Sequence, residues 1–470
     1  MPIPVISLAQ MREWERATWA TGQTEAEVIR LVGTRIYSFV CKLTADGDRV
    51  LILAGKGHNG DDARAAAKQI EGRDVELIEV AQPQSDLAKV KIALAKNPVL
   101  IVDGLFGVGL NRQLDEAWQN IIALVNASKI PVLAVDVPSG LNADTGESFG
   151  ALVRATVTLT VGAPKIGLLA AKAVPFVGRL EVADEVGLIP CPHTAEQNWV
   201  AKSDFLNYPP AREEAANKGN FGHLAIIAGS KGFHGAAVLT TRGAQRAQPG
   251  LVTVFVPQKI YSPVAAQLQS AMVQIWKKEV SLPEKTSAIL IGPGLAAPQI
   301  TAAASKLTRT IWRITKVPMV VDASALDFLA AGKTPAGALR VITPHPGEAA
   351  RMLNTTVQKV QANRVASLRQ LSKKFGRCWV VLKGYQTLIG RSVGKIFVNS
   401  SGNPQLAQGG SGDLLAGFLA GLLAQPALQT EVEKTIAYAV HQHGAAADEL
   451  SATRKNWTIE DLADVIGDAV

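Results

Sequence analysis

Short apolar segments alternate with amphipathic, helix-like segments along most of the chain. In the first half, the strand-like segments are residues 49–54, 75–80, 99–103 and 131–136. Helix-like segments span 8–20, 25–43 and 61–70. Strands that are separated by helices are typical of βαβ units and of a parallel sheet. The near-continuous apolar character of the strands also indicates burial on both faces of that sheet.

The same alternation begins again after a polar segment, residues 188–220, which contains Pro209-Pro210. We place a domain boundary within this segment, near these prolines. Further strand-like segments, a β excursion and a long apolar helix then follow, at 223–229, 251–257, 288–294, 318–324, 378–384, 387–399 and from Ser411. The pattern predicts an α/β protein with two doubly wound domains, residues 1–210 and 211–470. In such domains the ligands lie outside the carboxyl ends of the strands.

Composition excludes several classes of protein. Of the 470 residues, 47% are hydrophobic and 19% are charged, which is enough to build large cores and excludes a disordered chain. The longest apolar run, 414–424, is shorter than the roughly 18–20 residues that a membrane-spanning helix needs. The three scattered cysteines predict neither a disulfide framework nor a zinc knuckle, and they favour a reducing, cytoplasmic setting.

The net charge of +8 is concentrated in the second half of the chain. Up to Pro210 there are 20 Lys and Arg against 24 Asp and Glu, whereas the remainder has 28 against 16. A basic half suits either nucleic acid or a polyanionic small molecule. Because the chain has no DNA- or RNA-binding motif and no aromatic residues interleaved with the basic ones, we expect small-molecule partners and no nucleic acid.

Three predicted strands of the first domain end in polar, glycine-rich turns. The first turn, Gly55–Gly60, has the pattern G-x-G-x-x-G and opens a helix, so its N–H groups could bind phosphate. The other two turns carry Asp103 and Asp136 at their strand ends. Oxygen atoms that converge on one crevice suit a hard cation as well as a polar ligand. Each aspartate could instead cap a helix.

These three turns, A-G-x-G-x-N-G-x-D, V-D-x-L-F-G-x-G-L-x-R and V-D-x-P-S-G-L-x-A-D-T-G, resemble the NAD(P)H-hydrate epimerase domain. That family interconverts the R and S forms of the hydrated cofactor NAD(P)HX. The resemblance implies a Rossmann-like fold, a K⁺ ion held by Asn59, Asp103 and Ser139, and Asp103 as the acid/base. It places NAD(P)HX at His58, Asn59, Gly60, Asp61, Asp62, Gly107, Val108, Gly109, Leu110, Asn111, Arg112, Gln113 and Asp136.

The first turn departs from the usual N-N-G-G-D-G of that family. His58 replaces an amide, Ala63 replaces a glycine, and Asp61 adds a carboxylate, which is unfavourable beside a phosphate. Lys165 matches the lysine of the family's K-x-G-L stretch.

Four glycine-rich turns follow strands in the second domain, at 228–237, 291–295, 343–348 and 407–413. The last turn places Asp413 inside a helix N-terminus behind a run of glycines. Such a terminus binds anions, and the carboxylate could take a proton from a hydroxyl that attacks a phosphate. A carboxylate that merely favours the helix dipole is the alternative. Upstream, Lys383 and Thr387 lie where a nucleotide phosphate could be held.

As an ordered set, GS-x-x-x-x-GA, GPGL, TPHPGE, VVLKG-x-x-T and GGSGD-x-LAG resemble the ADP/ATP-dependent NAD(P)H-hydrate dehydratase. The resemblance implies a ribokinase-like fold, with Mg²⁺ and ADP as cofactors. It implies that NAD(P)HX contacts Ala236, Gly294, His345 and Asp413. It also implies that the nucleotide, ADP or AMP, lies at Lys383, Gly384, Tyr385, Gln386, Thr387 and Gly412. His345 could instead be structural, and we interpret His441 and His443 as packing or capping residues.

The two resemblances together imply a bifunctional repair enzyme. We expect it to epimerise R and S NAD(P)HX and to dehydrate the S form with ADP, which gives NAD(P)H, AMP and phosphate. The expected partners are NADHX, NADPHX, ADP and further copies of the chain in a homo-oligomer. Two alternatives stay open: a ribokinase-like kinase with a stable phosphorylated product, and a first domain that binds dinucleotides without catalysis.

Overall fold

The computed structural model describes residues 2–276 and 280–469, which form two compact units. Residues 3–196 make up the first unit, and Pro2 together with the described residues from Gln197 onward makes up the second. This division falls within the polar segment 188–220, as expected, but before Pro209-Pro210, near which we placed the boundary. The reason is that strand Gln197–Val200 pairs with strand Ile396–Asn399 and therefore belongs to the sheet of the second unit.

The first unit is built on a parallel sheet with the strand order β3-β2-β4-β5-β6-β7. Its elements are β1 (Ile3–Pro4), α1 (Leu8–Trp19), α2 (Glu25–Leu43), β2 (Arg49–Ala54), α3 (His58–Gln69), β3 (Asp74–Glu79), α4 (Pro83–Ala95), β4 (Leu100–Gly104), α5 (Glu116–Ser128), β5 (Val132–Val135), β6 (Val157–Val161), α6 (Val174–Val177) and β7 (Arg179–Ala183). Each element that we predicted for this half lies within a few residues of an observed one.

Alternate residues of β2 face two separate helix layers. Val50 and Ile52 pack in one cluster with residues of α2 and α3. Leu51 and Leu53 pack in another with residues of α4 and α5. All four side chains are fully buried. The apolar run of this strand therefore reflects burial on both faces, and the expected doubly wound arrangement is confirmed.

The second unit has a larger sheet with the order β8-β17-β16-β15-β14-β13-β12-β9-β10-β11. Only β16 runs antiparallel to its neighbours among these described strands. The elements are β8 (Gln197–Val200), β9 (His223–Ile227), α7 (His234–Arg246), β10 (Leu251–Pro257), α8 (Tyr261–Ala265), β11 (Met272–Trp276), β12 (Ala288–Ile291), α9 (Pro298–Ile314), β13 (Met319–Val321), β14 (Arg340–Ile342), α10 (Pro346–Leu353), α11 (Val357–Ala362), α12 (Arg364–Lys374), β15 (Trp379–Leu382), β16 (Leu388–Gly390), β17 (Ile396–Asn399), α13 (Ser411–Leu423), α14 (Val432–Thr453) and α15 (Ile459–Val465).

The apolar helix α13 is buried in the core of the second unit. It packs closely against α7, because Gly417 brings the two backbones together: a Cβ on Gly417 would lie only 1.9 Å from the carbonyl oxygen of Thr240. Within 2–276 and 280–469, no helix has the length and apolarity to cross a bilayer. The packing of α13 fixes the position of its N-terminus, which carries the Gly-Ser-Gly-Asp sequence.

Candidate active sites

The Gly55–Gly60 turn connects β2 to α3 in the first unit. We expected the helix to begin at Asp61, but it begins at His58, so Asn59 and Gly60 lie in its first turn. A Cβ on Gly60 would lie 2.0 Å from the carbonyl oxygen of Gly55, so this position accepts only glycine. The turn therefore holds Asn59 and Asp62, both buried, beside the ends of the neighbouring strands.

Asp103, Ser139 and Asn59 come together at the ends of β2, β4 and β5. The Asp103 carboxylate accepts hydrogen bonds from the Ser139 hydroxyl (2.6 Å) and the Ser139 amide (2.9 Å). The Ser139 hydroxyl accepts a bond from the Phe106 amide (2.9 Å), and the Asn59 side-chain nitrogen donates to the Phe106 carbonyl (3.0 Å). Three of the residues that the epimerase resemblance implies therefore form one hydrogen-bonded cluster. Burial raises the pKa of Asp103.

Asp136 forms a buried ion pair with Lys165. The Lys165 ammonium lies 2.6 Å from Asp136 Oδ1, and it also donates to the Thr160 hydroxyl (3.1 Å) and the Val161 carbonyl (2.8 Å). The same Oδ1 accepts from the amide of Val161 (3.0 Å) and the hydroxyl of Thr160 (3.2 Å). The sequence singled out Lys165 only by its match to a family stretch. In the structure, its ammonium group is the positive partner of Asp136.

The two aspartates that open α3 differ in their surroundings. Asp61 is paired with Arg64 at 2.7 Å, and Arg64 also donates to the Gly55 carbonyl at 2.9 Å. Arg64 thus offsets the carboxylate that sets this turn apart from its family. Burial, with the charges of Asp136 and Asp61, raises the pKa of Asp62 well above its ordinary value, which favours its protonated form. His58 is exposed, and its Nδ1 lies 3.1 Å from a Glu25 carboxylate oxygen.

The turn after β4 lies beside the Asn59 amide and then reaches the surface. A Cβ on Gly107 would be 2.8 Å from Asn59 Oδ1. Val108 and Leu110 are partly buried, whereas four residues of this turn are exposed: Gly109, Asn111, Arg112 and Gln113. This stretch therefore forms a rim to the crevice and not part of its floor.

In the second unit, the turns after β9 and β12 are joined by hydrogen bonds. The Ser230 hydroxyl donates to the Gly294 carbonyl (2.6 Å), and the Gly229 amide donates to the Pro293 carbonyl (2.8 Å). A Cβ on Gly294 would lie 2.8 Å from the Cβ of Ala236. Ala236 and Gly294, both predicted substrate contacts, are therefore neighbours with little side chain between them.

Lys383 and Asp322 form a buried pair at the ends of β15 and β13. The Lys383 ammonium lies 2.9 Å from Asp322 Oδ1, and the Thr343 hydroxyl donates to the same oxygen at 2.6 Å. A Cβ on Gly412 would lie 3.2 Å from the ammonium and 4.0 Å from Asp322 Oδ2. The pair therefore faces the first turn of α13, in which Asp413 is the third residue.

Asp413 has an environment that suits a general base. Burial, with the nearby charges of Asp322 and Glu348, raises the pKa of Asp413 to about 7, although Lys383 opposes the change. Burial alone would lower the pKa of Lys383, but the charges of Asp322, Glu348 and Asp413 outweigh it and raise that pKa. A carboxyl with a pKa near neutrality can exchange a proton with a hydroxyl at physiological pH.

The segment from Lys383 to Thr387 is a braced turn at the end of β15. Arg364 donates to the carbonyls of Leu382 (2.9 Å), Lys383 (3.3 Å) and Tyr385. Gly384 and Tyr385 are exposed, Gln386 adopts a left-handed backbone (φ 50°), and the Thr387 hydroxyl donates to the Gly384 carbonyl (3.0 Å). The main chain of this turn is therefore fixed, while its surface stays open to a ligand.

His345 caps helix α10. Its Nδ1 accepts hydrogen bonds from the amides of Gly347 (3.0 Å) and Glu348 (3.4 Å), and the Glu348 carboxylate accepts from the His345 amide (2.8 Å). The imidazole is exposed, and its Nε2 lies 3.5 Å from Glu348 Oε1.

His443 contacts the Gly-Ser-Gly-Asp turn at Ser411. Its Nε2 lies 3.1 Å from the Ser411 carbonyl oxygen and 3.3 Å from the Ser411 hydroxyl. Burial lowers the pKa of His443 to about 4, so the ring is neutral at physiological pH. The interpretation of His443 as a packing or capping residue agrees with these contacts.

A cavity of about 1080 Å³ in the second unit lies away from these groups. It is lined in part by Arg340 and Trp379, the first residues of β14 and β15. It is therefore near the amino ends of these strands, whereas the residues we predicted follow carboxyl ends. None of the predicted site residues lines it.

Sequence reasoning missed Asp322, Arg64 and Thr160 as members of the two crevices, whereas Thr343 and Glu348 were singled out within the TPHPGE turn. Asp322 carried a signal, because it ends the apolar segment Pro318–Val321 in the same way that Asp103 ends its own strand. Arg64 and Thr160 had none, since their closeness to a lysine or an aspartate depends on which strands are neighbours.

Two families of known proteins match the chain. The family described as NAD(P)H-hydrate dehydratase matches residues 224–468. The family described as YjeF-related protein N-terminus matches residues 78–167. The first match covers the second unit, with every crevice residue named above for that unit, and the second falls within the first unit.

Proteins called bifunctional NAD(P)H-hydrate repair enzyme are similar to nearly the whole chain. The protein from Gloeobacter violaceus is 34% identical over 490 aligned positions, which cover 95% of this chain and 94% of that protein. Those from Moorella thermoacetica and Escherichia coli are 33% and 31% identical and cover 86% and 94% of this chain, with 84% and 88% of their own lengths.

Two solved structures resemble more than half of the chain. A ribokinase-like superfamily protein from Enterococcus faecalis is 25% identical, with a TM-score of 0.50, over 60% of this chain and 97% of that one. An ADP/ATP-dependent NAD(P)H-hydrate dehydratase from Bacillus subtilis, co-crystallised with ATP and Mg²⁺, is 29% identical, with a TM-score of 0.49, over 55% of this chain and 92% of that one. Given the family matches and the near full-length relatives, the chain belongs to the bifunctional NAD(P)H-hydrate repair enzymes, with an epimerase domain before a dehydratase domain.

Proposed function

We propose that Asp413 is the general base of the dehydratase and that ADP is its phosphoryl donor. The observation that carries this proposal is the half-buried Asp413 carboxyl, with a pKa of about 7, in the first turn of α13 beside Lys383. Asp413 takes the proton of the hydrate hydroxyl, and the oxygen attacks the terminal phosphoryl group of ADP, with AMP as the leaving group. Phosphate then leaves as the ring nitrogen's lone pair moves in, and loss of a ring proton restores the dihydropyridine.

The surrounding residues support this assignment of the substrates. ADP would lie on the turn from Lys383 to Thr387, with its terminal phosphate at Gly412, because a helix N-terminus and an ammonium both attract phosphate. NAD(P)HX would lie against Ala236, Gly294 and His345, where small residues leave room for a flat ring. When bound with ADP, Mg²⁺ would neutralise charge on the phosphates.

For the first unit, we propose an NAD(P)HX epimerase whose K⁺ ion is held by Asn59, Asp103 and Ser139. A carboxylate, a hydroxyl and an amide, joined by the Phe106 carbonyl, are a donor set that suits a hard cation. A bound K⁺ would supply a fixed positive charge that balances the pyrophosphate of the substrate. Asp103 is the proposed acid/base. Residues 58–62 and 107–113, with Asp136, would hold the substrate.

The test follows recovery of NADH absorbance from mixed R and S NADHX with ADP, Mg²⁺ and K⁺. Asp413→Asn should lower dehydration of the S form by about 10²–10⁴-fold and leave R-to-S conversion unchanged. Asp103→Asn should lower R-to-S conversion and leave dehydration of the S form unchanged. If Asp413→Asn retains turnover, Asp413 is not the base. A stable phosphorylated product in place of free phosphate would indicate a kinase instead.

We also propose a reducing, cytoplasmic setting. The three cysteines, at positions 41, 191 and 378, are unpaired in the described part of the chain, which supports this setting. Labelling of all three thiols is the expected result when the freshly isolated protein is unfolded in denaturant without prior reduction, because Cys378 is buried in the folded chain.

A further inference from the structure

Asp322 occupies a fixed position between the strands of the second unit. It directly follows β13, and its side chain is 1% exposed. Its amide donates to the Ile291 carbonyl (3.2 Å), and a Cβ on Gly292 would lie only 1.8 Å from the Asp322 carbonyl oxygen. The backbone of Asp322 is therefore held against the turn after β12 and cannot move without disturbing it.

The Asp322 carboxylate joins three neighbouring elements at one point. Through Oδ1 it accepts from the Thr343 hydroxyl after β14 (2.6 Å) and from the Lys383 ammonium after β15 (2.9 Å). Its other oxygen, Oδ2, faces Gly412 in α13. Asp322 therefore connects the lysine to the helix N-terminus that binds the phosphate in the proposed function.

The charges around this point do not balance. The single ammonium group of Lys383 interacts electrostatically with three buried or half-buried carboxyls: Asp322, Glu348 and Asp413. His345 lies next to Glu348, and the neutral ring of His443 lies behind Ser411. Of the three carboxyls, Asp322 alone is hydrogen-bonded to Lys383, so it decides where the positive charge is placed.

We propose that Asp322 is a positioning residue of the dehydratase, which fixes the Lys383 ammonium against Gly412 so that it meets the phosphate of the bound nucleotide. This inference rests on the proposed role of Asp413 and of the nucleotide site. Asp322 touches neither substrate and acts through Lys383. Thr343 in turn orients Asp322, because its hydroxyl donates to the oxygen that holds the ammonium.

The charge of Asp322 has a second consequence, for the pH dependence of the dehydratase. Asp322 is the largest of the neighbouring charges that raise the pKa of Asp413, after burial itself. As a base, Asp413 must be ionised, so kcat/KM should rise with pH through about 7 in the unaltered protein. Removing the Asp322 charge stabilises ionised Asp413, and the acid limb should therefore move to lower pH.

The experiment compares Asp322→Asn with Asp327→Asn. Asp327 lies in the same segment and is also ion-paired, to Arg351, but it is exposed. Asp322→Asn should lower kcat by about tenfold to a hundredfold, the usual cost of a misplaced catalytic group, and raise the KM for ADP. Its acid limb should move down by about one pH unit. Asp327→Asn should leave all three quantities unchanged.

A merely structural role predicts a different result. If Asp322→Asn lowers the rate equally at every pH and leaves the KM for ADP unchanged, the inference is wrong. If Asp322→Asn does not fold, Thr343→Val replaces it as the test, since it keeps every charge. This variant should weaken ADP binding, measured by calorimetry, and lower kcat by about threefold to tenfold. Unchanged binding and kcat in Thr343→Val would overturn the inference.

Asp413→Asn separates this inference from the proposed function. If Asp413→Asn retains turnover, the assignment of the base fails, whatever Asp322→Asn does. If Asp413→Asn is inactive while Asp322→Asn keeps the rate, the ADP affinity and the pH profile of the unaltered protein, the base stands and Asp322 has no positioning role.

Discussion

Both units bury a lysine–aspartate pair at the carboxyl edge of a sheet. In the first unit the ammonium of Lys165 lies 2.6 Å from Asp136, and the two side chains are 0% and 9% exposed. In the second unit the ammonium of Lys383 lies 2.9 Å from Asp322, and the side chains are 18% and 1% exposed. The pairs look alike by distance, but their remaining partners differ.

We call the first pair closed, because every donor of its lysine has a partner within the fold. We call the second pair open, because its lysine also interacts with carboxyls other than its hydrogen-bonded partner. Lys165 uses its other donors on Thr160 and Val161, and the same two residues donate to Asp136. Lys383, in contrast, shares its charge with Glu348 and Asp413. The lysine of a closed pair has no N–H left to donate to a ligand. The lysine of an open pair can interact with an incoming phosphate. The surroundings of an ion pair, more than its length, therefore decide what it can do.

The largest expected effect comes from removing each lysine. Lys165→Met should destabilise the first unit by about 3–5 kcal/mol, because it leaves Asp136 buried without its partner. Lys383→Met should abolish dehydration at a smaller loss of stability, because the Lys383 side chain is 18% exposed, against 0% for Lys165, so water can reach the Asp322 carboxylate that is left behind. Denaturant unfolding, followed by hydrogen exchange of peptides from each unit, measures the two losses of stability, and recovery of NADH absorbance measures dehydration. Equal losses of stability would contradict the distinction between closed and open pairs.

A smaller effect is expected from filling the space in front of the open pair. Gly412→Ala places a methyl group about 3.2 Å from the Lys383 ammonium, whereas nothing lies within 4 Å of a Cβ at Gly409. Gly412→Ala should therefore lower kcat/KM for ADP by about tenfold or more. Its stability should be kept or slightly raised, since alanine favours a helix.

Gly409→Ala is the matched control for this prediction. It lies in the same glycine-rich turn and should keep the ADP kinetics of the unaltered protein. If both substitutions lower the rate alike, the flexibility of the turn matters and not the space beside Lys383.

The smallest effect is expected at the surface of the first crevice. His58→Gln removes an exposed pair with Glu25, so R-to-S conversion should change by no more than about twofold. Arg64→Met should lower it further, because the Asp61 carboxylate then faces the substrate without its partner. Initial rates with R-NADHX measure the two variants. A larger loss in His58→Gln than in Arg64→Met would show that the substrate site needs the imidazole at position 58 and that a side-chain amide cannot replace it.

The sequence predicted the helices and strands correctly wherever apolar residues form an unbroken run or a regular amphipathic pattern. Strand β2 and helix α2 were predicted with their observed bounds, because an apolar run and a regular amphipathic period have few other solutions. Strand β6 was not predicted, although its alternation of valine or leucine with Thr158 and Thr160 is typical of a strand. Both threonines are fully buried and bonded within the core, which the sequence pattern does not indicate.

The boundary between the units could not be read from proline content. The turn at Pro209-Pro210 is real, but the chain has already joined the second sheet through β8. A four-residue strand carries too little pattern to reveal its partner, because that partner lies nearly two hundred residues later in the chain.

By itself, the sequence determined the two doubly wound domains, the glycine turns at their strand ends, and the residues that could hold phosphate or move a proton. These are local properties, set by hydrophobic periodicity and by turn chemistry. Only the tertiary structure decided that Lys383 meets Asp322, that Arg64 offsets Asp61, and that Asp413 is buried enough to titrate near neutrality. The physical reason is that a charge responds to its neighbours in space, and those neighbours come from strands far apart in the chain.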